Sequence, residues 1–486
     1  MKFIGLRLDE HDANITYTNG KNVKYYCSER DLQIKHHGYE DLTSWFHLIE
    51  KWNIIPSEIN AIGMVIDEDK HEYLNTNDTK ICETIDIPMY RDMGFTCPIV
   101  RIDHHLAHAL SIWPIGMSDV DLVFDGYGDD NIVHSVYKNL KRKDFYRIED
   151  CLSFGSLFTA VAKQLGIKGN QFDLAGKLMA LQSYGNRKEN VIKRLENLTI
   201  HDFDLVWSQW RLEWEDRLDY IRSYHEATEN IFANYFSKYD GVISYTGGIA
   251  QNVVVNTKIK EKVPNLLIPP HANDCGLSLG IVEFLRKIYR QNSFDNSGFP
   301  FWQDDESPTE MPTKETIATT AELLAKGKIV GWYQGHGEIG PRALGNRSIL
   351  MDPSIQNGKD SLNNKVKHRE WYRPFGASIL EHEVSNYFDW SDKSEYMLYT
   401  MRVLEPDRFS AITHVDGTCR VQTVNKSHIS FFELLKEFQN KTGVPMLLNT
   451  SLNNGGKPIA GHISDAIDLL HTSDMDVLVV GNEFYE

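Results

Sequence analysis

The chain has 486 residues, with 51 Lys and Arg against 68 Asp and Glu, a net charge of −17, and 41% hydrophobic residues. That composition excludes a mainly disordered or collagen-like polypeptide. It also argues against a protein that wraps bare duplex, which is held chiefly by basic surface. The length sets a soft expectation of roughly two to four domains.

The cysteines (Cys27, Cys82, Cys97, Cys151, Cys275 and Cys419) are scattered without a CxxC pair, so neither a zinc knuckle nor a disulfide framework is signalled. The start, MKFIGLRLDEHD, carries charges from residue 7 and no apolar core, so no secretory leader is expected. No apolar run reaches the roughly 18–20 residues of a membrane span. The expectation is a soluble cytoplasmic protein with no membrane partner.

In chain order, IGLRL, DEHDAN and ITY read as strand, polar turn, strand. DLVF, DGYGDDN and IVHSVY repeat that design, each with an Asp at the strand end where a tight turn presents N–H groups to an anion. Between them, CPIVRIDHHLAHALSIW places a strand, an N-cap at Asp103 and a helix. His104 and His108, at i and i+4, share one face of that helix, as two ligands of one ion require. His105 points elsewhere and reads as supporting or structural. Asp125 and Asp274 are the carboxylates that would complete such a site, and mixed imidazole and carboxylate donors suit iron, zinc or manganese. Ordinary polar histidines are the alternative. His11, in the first turn, reads as a general base, a phosphate contact or a plain surface histidine; neighbouring acids would raise its pKa.

Residues 186–240 are charged and Trp-rich (Trp207, Trp210, Trp214) and read as an amphipathic helical insertion that uses its aromatics as core. VISYTGGIAQNVVVN is an apolar strand running into Gly247-Gly248 and then a helix, a junction that suits a negatively charged ligand. Two hairpin turns followed by a Gly-Gly junction are what a duplicated actin-like nucleotide cleft would show.

Residues 291–314, rich in Ser, Asn, Asp and Pro, read as a linker or crossing loop between a segment 1–290 and a segment 315–486. The second segment alternates helix-like and strand-like stretches, an α/β pattern. Basic residues recur there among Gly, Pro and Asn: Arg342, Arg347, Lys367, Arg369, Arg373 and Arg420. Converging arginines suit a phosphorylated small ligand; ordinary salt-bridged cations remain the other reading.

Taken together these segments resemble the NodU/CmcH carbamoyltransferases, the family of the tobramycin and cephem O-carbamoyltransferases. The matching stretches are HDAN (11–14), SERDLQIKHHG (28–38), HHLAHA (104–109), DGYGDD (125–130), GKLMALQSYG (176–185), GGIAQN (247–252) and NDCG (273–276). They continue with GPRALGNRSIL (340–350), VKHREWYRPF (366–375), HVDGTCRVQ (414–422) and NTSLN (449–453).

The resemblance implies a duplicated actin-like N-terminal domain that binds metal and nucleotide, and a YrdC-like α/β C-terminal domain. Carbamoyl phosphate and ATP, with Mg²⁺ as a further candidate, would give carbamoyl-adenylate in the second. The carbamoyl group would then pass to an acceptor hydroxyl at Fe(II) or another divalent transition metal in the first. It implies His104, His108, Asp125 and Asp274 as metal ligands and His11 as catalytic. Lys367, Arg420 and Ser451 would serve the activation pocket. Gly247, Gly248 and Asn252 would lie beside the nucleotide, with Arg347, Arg369 and Arg373 as further cofactor contacts.

The last motif departs from the family pattern, with Gly455 where a basic residue is common and Lys457 in place of an acid. In DGYGDD, Asp129 stands where Glu is commoner. The acceptor is open: a hydroxymethyl group, including 5-hydroxymethylcytosine in a nucleotide or in DNA, or a sugar or natural-product hydroxyl. The insertion 186–240 is the candidate acceptor-specific part, and the oligomeric state is open, with a homodimer as one candidate. Hydrogenase-maturation chemistry is disfavoured, since that family adds an acylphosphatase domain and CxxC zinc motifs. The alternatives are a tRNA threonylcarbamoyl-type transfer and a non-catalytic actin-like nucleotide-binding protein.

Overall fold

The structure, a computed structural model, describes residues 1–8, 11–66, 82–149, 153–196 and 217–486. Cys151, Trp207, Trp210 and Trp214 lie outside them.

The first sheet comprises β1 (Phe3–Arg7), β2 (Asn14–Thr18), β3 (Val23–Cys27), β4 (Ala61–Val65), β5 (Cys82–Ile85) and β6 (Ile99–Ile102), in the order β3-β2-β1-β4-β6-β5. The second comprises β7 (Val120–Phe124), β8 (Ile132–Lys138), β9 (Lys141–Arg147), β10 (Ile243–Thr246) and β11 (Leu266–Leu267), in the order β11-β10-β7-β8-β9. In each sheet an antiparallel meander (β1-β2-β3; β7-β8-β9) is extended by parallel strands beside its first member (β4 and β6; β10 and β11). The two lobes are therefore copies of one topology, and the fold is the duplicated actin-like α/β arrangement that the paired turns announced.

One helix locks the lobes together. Leu277–Ile288 buries apolar residues against β1 and against the helix His104–Leu110. A Cβ on Gly280 would stand 1.8 Å from the carbonyl oxygen of Ala107, so only glycine permits this approach. Asp274, in the turn that opens this helix, is thereby fixed beside the face that carries His104 and His108.

The helix Arg217–Phe236 sends Tyr220, Tyr224, Phe232 and Phe236 into the core of the second lobe, where Phe232 meets Phe124 and Phe236 meets Tyr245. The described part of the expected insertion thus uses its aromatics as core.

The third sheet comprises β12 (Val330–Tyr333), β13 (Arg347–Met351), β14 (Gly376–Leu380), β15 (Thr400–Arg402), β16 (Thr418–Val424), β17 (Met446–Ser451), β18 (Val477–Val480) and β19 (Glu483–Tyr485), ordered β15-β16-β14-β17-β13-β12-β18-β19. The helices Lys314–Ala325 and Ile429–Thr442 belong to the same α/β unit. Its apolar core is continuous with that of the second lobe. Across the seam, Thr257 Oγ1 accepts the Thr400 N–H at 2.8 Å and Asn256 donates to the Leu398 carbonyl at 3.2 Å. Residues 291–313 contain no helix or named strand, yet they are packed: Phe294 and Gln303 are buried, and the Asp304 N–H donates to the Tyr25 carbonyl at 2.7 Å.

Replacing Gly280 with Ala should cost about 1–3 kcal/mol of stability through overpacking, read as a lowered denaturant midpoint. Gly176→Ala, where an added Cβ meets nothing within 4 Å, should leave the midpoint unchanged or raise it.

Candidate active site

A single cavity of about 1020 Å³ is lined by residues of both lobes and of the third sheet. It has two chemically distinct ends.

At one end, His104, His108, Asp125 and Asp274 present ligand atoms within 4.8 Å of one another, and all four are buried. His104 Nε2 lies 3.2 Å from Asp125 and 3.6 Å from Asp274; His108 Nε2 lies 3.4 Å and 3.2 Å from the same carboxylates. The helix holding the two imidazoles is anchored at its start. Asp103 accepts the Leu106 N–H at 2.8 Å and is itself held by Tyr137 and Arg142. Asp129 accepts the His104 N–H at 2.9 Å, so the residue where Glu is commoner serves as a second anchor. Asp125 directly follows β7 and accepts the Gly248 N–H at 2.9 Å. His105 turns away to Ser135, at 2.9 Å, and is structural.

Burial opposes charge on every member of this group, but mutual pairing wins. The aspartates hold both imidazoles above the ordinary histidine range, and the imidazoles hold both carboxyls below the usual carboxylate range. His108 is 0% exposed, and neither ring nitrogen has a hydrogen bond of ordinary geometry. A fully buried imidazole that faces two carboxylates suits a metal ligand. The donor set fits a divalent transition ion.

His11 flanks this end, with Nδ1 3.1 Å from Asp12 and Nε2 3.9 Å from Asp274. Burial disfavours its charge, yet Asp12 and Asp274 raise its pKa. A second group, Asp12, Glu29 and His36, is satisfied by its own partners. His36 bonds to Asp12 at 2.9 Å and approaches Asp173 at 3.4 Å; against burial, these push its pKa up to about 10. These contacts tie the first lobe to Asp173 of the second.

At the other end, Arg342, Lys367, Arg369, Arg373 and Arg420 converge on the cavity. Among the described residues, only Arg373 of these five is paired with a carboxylate, Glu370 at 3.5 Å. Arg420 has neither a hydrogen bond nor an ion pair for its guanidinium among the described residues; burial and Arg373 push its pKa down to about 10. Lys367 is surrounded by oxygens of Ser451 and Asn453, with the Ser451 carbonyl at 2.7 Å. Burial and then Arg369 and Arg373 pull it well below the usual lysine range. Arg342 and Arg369 are depressed in the same way, by burial and then by one another's neighbours. Cations gathered with so little carboxylate neutralisation suit an anion.

The structure thus brings together all but three of the expected residues on the cavity wall. His108 lies just behind it. Gly247 also lies behind it, at φ 95°, where a Cβ would fall 2.0 Å from the Phe124 carbonyl oxygen. Asn252 reaches the wall while capping the helix Val253–Lys262. The third, Arg347, departs from expectation: it lines no part of the cavity. Its guanidinium is fully buried over the Tyr333 ring at 3.6 Å and paired with Asp305 at 2.8 Å. It ties residues 305–306 to β12 and β13 rather than binding a cofactor. Gly455 has a local reason too: its N–H donates to the Lys367 carbonyl at 2.8 Å, and a Cβ would stand 2.8 Å from that oxygen. Lys457 lines the same cavity, so a cation is retained two residues on.

Residues 321–486 match the family model described as "Carbamoyltransferase C-terminus". The nodulation protein NolNO of Sinorhizobium fredii is 32% identical over 78% of this chain and 63% of its own length, so this chain spans under two thirds of it. The nodulation protein NolO of Bradyrhizobium diazoefficiens is 31% identical over 78% of both chains. The chain belongs to the NodU/CmcH carbamoyltransferase family. That makes it an enzyme of the carbamoyltransferase class. A 3′-hydroxymethylcephem-O-carbamoyltransferase from Amycolatopsis lactamdurans is 35% identical over 46% of this chain and 44% of its own.

Asp12, His36, Phe172 and Asp173 escaped the sequence reading as site residues; His36 lies within a quoted motif, but its partners are far away in sequence. Replacing His108 with Ala should lower metal affinity by more than the roughly 10–100-fold cost of losing a group that merely supports a ligand, measured by competition with a chromogenic chelator.

Proposed function

We propose that this chain is an ATP-dependent O-carbamoyltransferase. At the cationic end water cleaves carbamoyl phosphate to carbamate and phosphate. A carbamate oxygen then forms a bond to the α-phosphorus of ATP as the bond to pyrophosphate breaks, which gives carbamoyl-adenylate. The carbamoyl group then passes to an acceptor hydroxyl at the His/Asp end. The observation that supports this most is the joining of the two ends in one cavity. A group of under-neutralised cations suits phosphate chemistry, and a buried two-imidazole, two-carboxylate cluster presents His104, Asp125 and Asp274 to the same cavity.

Arg420, Arg369 and Lys367 offset the charge of the phosphates during activation. The crowding that depresses their pKa values is relieved when an anion enters. Ser451 holds the Lys367 ammonium in place and Asn252 borders the nucleotide. A divalent ion held by His104, His108, Asp125 and Asp274, as Fe(II) or another transition metal, would supply Lewis acidity. In the transfer, the acceptor oxygen forms a bond to the carbamoyl carbon and the bond from that carbon to the adenylate oxygen breaks. AMP leaves, and the hydroxyl proton passes to His11 Nε2, while Asp12 fixes the ring through Nδ1.

The acceptor is a hydroxyl borne on a hydroxymethyl group, with 5-hydroxymethylcytosine as one candidate, or on a sugar or natural product. The cephem relative's name supports the hydroxymethyl branch. No helix among the described residues is long and apolar enough to cross a membrane.

Purified protein given ATP, carbamoyl phosphate, Fe(II) and a panel of alcohols should release AMP and add one carbamoyl group to one acceptor class, read by mass spectrometry. Arg420→Ala should abolish adenylate formation. His108→Ala should keep it and lose transfer. Loss of both half-reactions in His108→Ala would overturn the division of labour.

A further inference from the structure

Beside the His/Asp cluster the cavity has an aromatic corner that activation and transfer leave unused. The ring of Phe172 rests on the imidazole of His11, with centroids 3.9 Å apart and planes inclined by 37°. His36 stands 5.3 Å from the same ring. Phe172 is 42% exposed, and it lines the cavity. A phenyl ring left open to the cavity forgoes part of the gain that burial gives, so its position has to be imposed.

The imposition is visible on both sides. Asn170 accepts the Phe172 N–H at 3.0 Å and caps the helix Gln171–Leu181. The next residue, Asp173, reaches across the cleft to Lys35 at 2.5 Å and to His36 at 3.4 Å. His36 in turn holds Asp12, which holds His11. One continuous chain of contacts, from the second lobe to the first, therefore sets both the Phe172 ring and the imidazole against which it stacks. The His11–Phe172 stack leaves the rest of the phenyl ring open, and a planar ring extends such a stack in the offset geometry that aromatic pairs prefer.

We infer that Phe172 is the platform on which the acceptor's ring lies, with a flat, unsaturated ring bearing its hydroxymethyl arm toward His11 and the His/Asp cluster. This rests on the transfer reading above and narrows its acceptor. The platform adjoins the His11 imidazole, whose Nε2 lies 3.9 Å from Asp274, so a ring held there lies next to the group that borders the His/Asp cluster.

The test uses the full chain with 5-hydroxymethyl-2′-deoxycytidine, glucose and ethylene glycol as acceptors, for the wild type, Phe172→Ala and Phe172→Trp. In the Ala variant the KM for the nucleoside should rise about 5–150-fold, the range expected for one lost base–aromatic stack, with a much smaller change in kcat. The Trp variant should stay near the wild type. Calorimetric binding of the nucleoside should weaken in parallel. Equal KM values in wild type and Ala variant would overturn the platform, as would the same rise for ethylene glycol or a preference for glucose. No carbamoylated product from the wild type with any of the three would instead overturn the transfer reading beneath it.

Discussion

Two carboxylates and two imidazoles, buried together within 4.8 Å, are the constraint on which the rest of this molecule depends. Such a group is stable only if its charge balances, either by two imidazolium protons or by one divalent ion between neutral rings. The fold spends much of its design on holding the four side chains there. Asp103 and Asp129 anchor the start of the histidine helix, Gly248 orients Asp125, and Gly280 lets the helix behind Asp274 come into contact with the histidine helix. The duplicated sheets place the first-lobe pair of histidines opposite Asp125 of the second lobe.

The other end of the cavity is governed by the opposite problem. In a chain of net charge −17, Arg342, Lys367, Arg369, Arg373 and Arg420 face one space with a single carboxylate partner among the described residues. Burial, and then the neighbouring cations, depress the pKa values of Arg342, Lys367, Arg369 and Arg420, a cost that an anion placed among them would offset. Packing of the third sheet onto the second lobe, through β15 and the helix Val253–Lys262, makes the two ends one space.

Much of this was legible because it is local. The strand ending at Asp103, the i, i+4 histidines and the paired turns follow from backbone periodicity, and the structure shows each. What was not legible depends on distant partners. Arg347 has the same Gly- and Asn-rich surroundings as the ligand-facing arginines, but its carboxylate partner, Asp305, sits in the stretch that composition marks as a linker. The network of Asp12, His36 and Asp173 joins residues whose proximity only lobe packing creates. Gly455 looked like a defect in the activation motif, whereas its missing side chain accommodates the Lys367 carbonyl.

The most direct measurement is X-ray absorption on the full-length protein loaded with one equivalent of Zn(II), chosen as a probe with simple coordination chemistry. The account predicts one tightly held ion per chain, with nitrogen and oxygen neighbours at about 2.0–2.2 Å and no sulfur. Failure to retain an equivalent ion, or a sulfur neighbour near about 2.3 Å, would contradict it and leave the four buried side chains as an ion-paired cluster without a metal.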